Sequence, residues 1–457
     1  MGYCSSQSNK NQRIMNVQDI TAAIANRSAN WIAGNNPISL LADDAKRRLL
    51  GAVKPAGYQP PAPRANALAA TTALPLSIDW RNNNGNFVTS VKDQGGCGSC
   101  VAFGTMAAME TRFAIEQSML LDFSEADMFF CSSHGAVCTG WWPQPAYQAN
   151  QERGIIQECL FPYPSAFPNN NTGTMPPHCD VIANRADNAF LYSAINTVTG
   201  VADAKNYLVT TGPLAACFDV YEDFFHYTSG VYTHTTGTYV GGHCICIVGY
   251  VDTDNQGNGY WICKNSWGPG WGMAGYFNIA YGQCKIDTYE KVGVSGITQP
   301  INTYVTLGSQ AFPNVFLRMD GNGVTQPVGT GGGTVNCQFT AGPWEKFLLT
   351  RQASGAYTLG SMAFPNVFLR MDGNGVTQPV GPGGGTVNCQ YTAGPWEQYA
   401  VTRQAGGTYT FESMNFPNVF LRMDGRGVPN PFESSMPGGT VNCQYTAGPW
   451  EQFILAD

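Results

Sequence analysis

Hydrophobic positions along the chain change rhythm three times. From Val17 to Leu50, the residues Ile20, Ala23 and Ile24, the run Trp31-Ile32-Ala33, and then Leu40, Leu41, Leu49 and Leu50 make short amphipathic pieces stopped by Gly34, Pro37 and Gly51. These pieces are too small to bury a core of their own. Residues 52–73 are rich in Pro and Ala, with Pro55, Pro60, Pro61 and Pro63, and read as an extended connector suited to lying in a cleft. After Cys100, Phe103, Met106, Ala107, Met109, Phe113 and Ala114 recur largely at helical spacing, which predicts a buried helix. Residues 245–250 and Tyr260 to Cys263 are short apolar runs around a polar turn, which predicts a hairpin of buried strands.

Beyond the polar segment 297–302 the chain repeats itself. Phe312-Pro313-Asn314-Val315-Phe316-Leu317-Arg318-Met319-Asp320-Gly321 recurs from Phe364 and again from Phe416, 52 residues apart each time. Each copy runs on to Gly-Gly-Thr-Val-Asn-Cys-Gln and to Gly-Pro-Trp-Glu, ending at Trp344, Trp396 and Trp450. Short β-rich runs between Gly and Pro turns predict about four strands per copy. An open solenoid needs atypical caps, and three near-identical copies favour a closed threefold arrangement instead.

The candidate chemistry lies where a glycine-rich loop, Gln94-Gly95-Gly96-Cys97-Gly98-Ser99-Cys100, delivers a cysteine to the predicted helix start. A helix N-terminus favours thiolate over thiol, so the Cys100 pKa is expected to be lowered. The Gln94 side chain and the Cys100 backbone N–H would form a two-donor hole for an oxyanion. A catalytic thiol needs a base, and the base needs an orienting partner. His243 and Asn265 flank the predicted hairpin near one end, where the Asn amide would hold the imidazole and Trp267 would shield that bond from water.

These segments resemble the papain and cathepsin family of cysteine endopeptidases. The resemblance runs through Asp79-Trp80-Arg81, Val91-Lys92-Asp93-Gln94, Phe123-Ser124-Glu125, Phe161-Pro162-Tyr163 and Lys264-Asn265-Ser266-Trp267-Gly268. It implies Cys100 as nucleophile, His243 as base, Asn265 as its orienter and Gln94 as oxyanion donor. Gly140, Trp141, Gly242, Trp267 and Tyr289 are the implied substrate contacts, with Tyr289 at the floor of the pocket for the second residue before the cleaved bond, where it would disfavour large side chains. Val101 replaces the family's usual aromatic residue, and Gly140 is the single glycine kept after Cys138. Gly242 before His243 is similar to cathepsin B, but no adjacent histidine pair occurs between Pro164 and Cys179, so endopeptidase action is expected. The resemblance pairs Cys97 with Cys138, and Cys179 with either Cys131 or Cys159. Residues 17–51 resemble a short cathepsin B-type propeptide, implying a zymogen.

The expected architecture is an α+β, two-lobed papain-like cysteine peptidase, with a helical lobe and a β-barrel lobe, followed by an all-β domain. Residues 1–73 would be propeptide and connector, 74–297 the peptidase domain, and 303–457 a domain that looks like a β-trefoil of the fascin-like or ricin-like kind. The ricin-type Gln-x-Trp signature is absent, so carbohydrate or surface binding by that domain rests on fold analogy. Cys337, Cys389 and Cys443 read as core thiols, and Asp320, Asp372 and Asp424 as turn caps or sugar contacts.

Composition narrows the field further. Charged residues are 12% of the chain and the net charge is −7, which leaves no basic face for nucleic acid. No apolar run is long enough to span a membrane. No metal or cofactor site is expected, because Cys217, Cys244, Cys246 and Cys263 lie inside apolar runs and show no Cys-x-x-Cys metal spacing among them. Peptide or protein substrates and a monomeric state are. The implied disulfides point to an extracellular or lysosome-like compartment, in tension with a polar residue 1–12 segment that lacks a secretory signal. Two other readings exist, an inactive protease-like binding protein and a thiol acyltransferase. Retention of Gln94, Cys100, His243 and Asn265 argues against the first, and the lack of an aspartate partner argues against the second.

Overall fold

The computed structural model describes residues 15–61, 73–132, 138–163, 184–254, 257–429 and 438–457. The segment between Pro164 and Cys179, which lacks an adjacent histidine pair, lies outside the described residues, as does Cys179 itself.

The N-terminal pieces form α1 (Val17–Asn26), β1 (Trp31–Ala33) and α2 (Asp43–Arg48). Asn16 caps α1, its side-chain oxygen accepting from the Asp19 N–H at 2.9 Å. Having no core of their own, these elements borrow one. Ile20, Ile24, Trp31, Ile38 and Leu49 join Phe224, Tyr227, Tyr232 and Trp271 in a single buried cluster. Trp31 stacks on Tyr227 and meets Tyr232 edge-on, at 6.2 and 5.1 Å between centroids.

The middle of the chain contributes β2 (Ser77–Asp79), α3 (Cys100–Gln117), β3 (Met119–Leu120), α4 (Glu125–Phe130) and α5 (Pro143–Asn150). The strands β4 (Leu191–Val198), β5 (Leu214–Tyr221), β6 (Tyr227–Tyr232), β7 (Tyr239–Asp252), β8 (Gly259–Lys264), β9 (Tyr276–Ala280) and β10 (Lys291–Thr298) follow. The expected barrel lobe is a nine-stranded sheet in the order β1-β6-β9-β8-β7-β5-β10-β4, with β2 on β7 and no pairing between its first and last strands among the described residues. Strand β1 extends this sheet antiparallel along β6. Helix α3 lies between the sheet and α4 and α5, and Val101, Met106, Met109 and Phe113 on it are all buried. The predicted hairpin is β7–β8, with Cys246 opposite Lys264.

The repeats supply four strands each: β11 (Asn302–Ser309), β12 (Val315–Asp320), β13 (Thr334–Phe339) and β14 (Lys346–Arg351); β15 (Tyr357–Ser361), β16 (Val367–Asp372), β17 (Thr386–Tyr391) and β18 (Tyr399–Arg403); β19 (Tyr409–Ser413), β20 (Val419–Asp424), β21 (Thr440–Tyr445) and β22 (Phe453–Ala456). The first and last strands of each repeat close a ring, β11-β14-β15-β18-β19-β22 and back to β11. The middle strands form three hairpins. Cys337, Cys389 and Cys443 are buried free thiols. Each donates toward a carbonyl of another repeat, at Asp424, Asp320 and Asp372. Those aspartates cap turns, their Oδ1 atoms accepting from the N–H of Arg426, Asn322 and Asn374 at 3.1 Å. Arg318, Arg370 and Arg422 lie over Trp344, Trp396 and Trp450 at 4.3, 4.2 and 4.5 Å, so each tryptophan has one ring face covered.

This unit docks on the far end of α3. Strand β22 pairs with β3, Arg403 donates to the Glu116 carbonyl at 2.7 Å, and the Gln157 side chain exchanges two bonds with the Tyr304 backbone. Leu317, Leu369 and Leu421 occupy equivalent, fully buried positions. Replacing each in turn by Ala should cost a similar ~2–5 kcal/mol. Denaturant midpoints of the three variants check this, and one silent position would break the threefold equivalence.

Candidate active site

Four segments meet at the N-terminus of α3. The Gln94 N–H donates to the Ser266 carbonyl at 2.9 Å and the Gly268 N–H to the Lys92 carbonyl at 3.1 Å, which ties the glycine-rich loop to the end of β8. A disulfide from Cys97 to Cys138 ties the same loop to the Gly140-Trp141 segment. Cys131 is also disulfide-bonded, and Cys159 carries a free thiol, which removes Cys159 from the candidate disulfide cysteines.

His243 is fully buried, and its Nε2 lies 2.7 Å from Asn265 Oδ1. The same oxygen accepts from the Ser266 N–H at 2.8 Å, so it is an acceptor and the imidazole proton sits on Nε2. Nδ1 is left as the basic nitrogen, buried beside the Leu49 carbonyl and short of hydrogen-bond geometry with any partner among the described residues. Trp267 covers the pair, its ring centroid 4.7 Å from that of His243. Gln94 is held by Ser266 Oγ, which donates to its Oε1 at 2.7 Å.

The Cys100 thiol lies against the backbone N–H groups of Cys244, Gly51 and Val101, and burial, followed by the neighbouring Cys244, raises its pKa. The lowered value expected from the helix terminus is not found, because the helix end is sealed from water. The seal is the backbone that follows α2. Ala52 donates to the Gly242 carbonyl at 3.0 Å and Val53 to the Trp141 carbonyl at 2.9 Å, while the Trp141 N–H donates to the Gly51 carbonyl at 2.9 Å. Ala52 pairs parallel with Trp141. The Gln94 side-chain amide, expected to point at an oxyanion, instead donates to the Leu49 carbonyl at 3.0 Å and to the Cys97 carbonyl at 2.8 Å. The stretch in the cleft is therefore residues 49–53, which includes the first two residues of the connector expected there, and residues 62–72 of that connector lie outside the described residues.

Gly242, Trp142, Cys217, Asp219 and Tyr289 line a cleft of about 440 Å³ whose other wall is Leu50, Ala52 and Val53. Trp141 reaches the covering strand through its backbone, and Gly140 closes on it so tightly that a Cβ there would stand 2.5 Å from the Gly51 carbonyl oxygen. Three carboxylates, Glu110, Asp122 and Glu125, are close enough to share an ion. The Lys92 ammonium stands among them, 3.0 Å from Glu110 and 2.6 Å from Glu125.

The profile of the papain family of cysteine proteases matches residues 74–294. Cathepsin B-like CP3 of Giardia intestinalis is 39% identical over 215 residues, 46% of this chain and 70% of that protein. The chain belongs to the papain family of cysteine proteases. It is a cysteine-type peptidase. Bovine pro-cathepsin H is 34% identical over 279 residues, 59% of this chain and 77% of that one. Among solved structures, procathepsin B S9 from Trypanosoma congolense is similar at TM-score 0.54 and 27% identity, covering 62% of this chain and 98% of that chain. The procathepsin L2 proteinase from Tenebrio molitor larval midgut is similar at TM-score 0.50 and 26% identity, covering 61% of this chain and 88% of that chain. Both of these neighbours are proforms.

Sequence reasoning missed Ser266, which holds Gln94, and Gly51, which makes room for the covering strand. Ser266 is visible only as part of the Asn265-Ser266-Trp267 run, and Gly51 only as a helix stop. A Cβ on Gly51 would lie 1.8 Å from the Gly98 carbonyl oxygen. Gly51→Ala should therefore lift the strand and speed alkylation of Cys100 in the full chain by about tenfold or more. Mass spectrometry of iodoacetamide-treated protein reads this directly.

Acid should weaken the cover through histidines. Burial lowers the His243 pKa from 6.5 to about 4, with Asn265 and the Leu49 carbonyl partly offsetting it. His226, under α2, is lowered by burial and then by Lys46. Among the described residues, the ion pairs of α2 join Lys46 to Asp43 and Arg48 to Asp44 within the helix. For a depressed pKa, stability is complete above the ordinary value and drains as pH falls toward the lowered one. The melting temperature of the Cys100→Ser full chain should drop between pH ~6.5 and pH ~4, and His226→Gln should flatten part of that slope.

Proposed function

We propose that the chain is the zymogen of a cysteine endopeptidase, hydrolysing peptide bonds through Cys100, His243, Asn265 and Gln94. Residues 1–73 serve as propeptide and connector, 74–297 as the peptidase domain, and 303–457 as a β-trefoil that binds carbohydrate or another surface ligand. The observation that carries this reading is the strand 49–53, whose Leu49 carbonyl occupies the Gln94 amide beside a buried thiol and imidazole. A peptide backbone in that cleft is what a peptidase must accept.

With the strand gone, water reaches the α3 terminus and the thiol can ionise. Cys100 passes its proton to His243 Nδ1 and attacks the substrate carbonyl carbon. The carbonyl oxygen takes the negative charge and is met by the Gln94 amide and the Cys100 N–H. His243 gives the proton to the departing amine, leaving a thioester, and then takes a proton from the water that hydrolyses it. Asn265 holds the ring plane through both halves, and Trp267 keeps water off that bond.

The covering strand runs parallel to the Trp141 segment, which supports a non-productive direction for the chain's own backbone. For the trefoil, the closed ring of six strands and its three hairpins support the fold, and the guanidinium on each tryptophan turns a ligand away from that ring face.

Cys100→Ser should abolish peptide hydrolysis after acid activation while leaving the melting curve of the full chain close to the parent's; near-parental turnover sinks the assignment. Gln94→Ala should cost about 10²–10³ in kcat, since one of two oxyanion donors is lost. A glycan array probed with the full chain tests the trefoil role, and binding that survives deletion of 303–457 removes it.

A further inference from the structure

The thiol of Cys100 has company. Strands β5 and β7 pair antiparallel in unbroken register from Leu214, opposite Ile247, to Val220, opposite Gly241, which sets Cys217 directly opposite Cys244. Directly opposite residues send their side chains to the same face of the sheet. That face is the one toward α3: Cys217 and Cys244 share a buried cluster with Cys100, while their neighbours Ala216, Phe218 and Ile245 belong to the cluster on the other side. The Cys244 sulfur leans on Gly104, one turn of α3 beyond Cys100, where a Cβ would stand 2.8 Å from it. Cys217 and Cys244 are both free thiols.

The other cysteines of the strands are not matched in this way. Cys246 faces Ala215 and Lys264, and Cys263 faces Ile247 and Phe277. In the repeats each cysteine faces a leucine. Among the described residues, Cys217 and Cys244 are thus the one pair of free thiols in direct cross-strand register. Opposite residues of an antiparallel pair have Cα atoms about 4.5–5.5 Å apart, inside the roughly 4.4–6.8 Å that a disulfide spans. The two sulfurs can therefore join with no change of register.

Access to them is one-sided. Cys217 lines the cleft whose other wall is Leu50, Ala52 and Val53, and Cys244 lies behind it. Tyr289, expected at the pocket floor, stands edge-on to Trp142 at 5.5 Å with its hydroxyl donating to Asp219 at 3.0 Å, and so forms a wall of the same cleft. With the covering strand in place, burial and then the adjoining Cys244 raise the Cys217 pKa, which keeps the sulfur as an unreactive thiol. Once the strand leaves, Cys217 is the first of the pair that a solute meets.

We infer that Cys217 and Cys244 are an oxidation site in the wall of the cleft, a dithiol that a small disulfide converts to a cross-strand disulfide after residues 49–53 have left. Cys217, as thiolate, attacks one sulfur of the small disulfide and releases one thiol. Cys244 then attacks the Cys217 sulfur, and the second thiol leaves. The two protons pass to the two leaving groups, so the cysteine pair loses two electrons and the small disulfide is reduced to two thiols. The new bond ties β5 to the strand that carries His243. That the site opens rests on the zymogen reading; that the two thiols pair does not.

Peptide mapping by mass spectrometry under non-reducing conditions tests it, on acid-activated protein and on the full chain, each treated with oxidised glutathione. A Cys217–Cys244 link, lighter by two hydrogens and removed by dithiothreitol, is expected, and it should form roughly tenfold or more faster in the activated form. Equal rates in the two forms overturn the gating by the strand. Absence of the link, separate glutathione adducts on both residues, or a link from Cys244 to Cys100 overturns the pairing. Two variants read the order of attack: Cys244→Ser should keep one glutathione on Cys217, and Cys217→Ser should leave Cys244 unmodified. The parent result decides the pairing even where a variant fails to fold. If acid leaves the chain whole and inactive, the zymogen reading fails, and the same treatment of the Gly51→Ala full chain still decides the pairing: the linked peptide supports it, and two adducts or two untouched thiols overturn it.

Discussion

A strip of backbone pressed over a thiol governs this structure. Residues 49–53 pass between the Cys97–Cys138 loop pair on one side and Gly242 on the other, with three backbone bonds to Trp141 and Gly242 and one from the Gln94 side chain. The passage is narrow enough that only glycine fits at 51. Its consequences reach the chemistry: Cys100 and His243 are both driven toward their neutral forms by burial, the thiol upward and the imidazole downward. The proposed nucleophile and base are thus both held neutral by the absence of water, with Asn265 and Trp267 still in place against the imidazole.

Behind the cleft, a buried ionic cluster keeps these segments in register. Lys92 and Lys264 lie two residues before Gln94 and one before Asn265. Burial disfavours the Lys92 charge, but Glu110, Glu125 and Asp122 outweigh it and hold the ammonium protonated. Lys264 donates to Thr89 Oγ1 at 2.8 Å. Breaking such a cluster from one side leaves a charge unpaired in the interior. The cluster therefore binds α3, through Glu110, to the two loops that present Gln94 and Asn265.

The C-terminal repeats meet the peptidase part at the opposite end of that same helix. Arg403 and Tyr409 engage the last carbonyls of α3, where a cation is favoured by the helix dipole. Strand β22 supplies the ring closure and also the pairing to β3, so the edge of the repeat unit is used within the chain. Threefold repetition accounts for its thiols as well: each repeat carries one cysteine, and each points its thiol at a carbonyl of a neighbouring repeat.

Local signals in the sequence determined a good deal. The helix after Cys100 follows from apolar spacing, the β7–β8 hairpin from two β-branched runs about a polar turn, and the four-strand repeats from self-similarity, because each rests on contacts within a short stretch. His243 beside Asn265 was legible for the same reason: both flank one hairpin. What only the tertiary structure decided depends on distant segments meeting. The thiol pKa is pushed up and not down because residues 49–53 bury a helix end some fifty residues downstream, and that stretch, reaching only the start of the connector, passes Gly98 at Gly51, where a Cβ would not fit. Gln94 turns to Leu49 and Tyr289 turns to Trp142, neither of which any local pattern encodes. Solvent exclusion is a property of the assembled surface, and it is solvent exclusion that sets the charge state of this site.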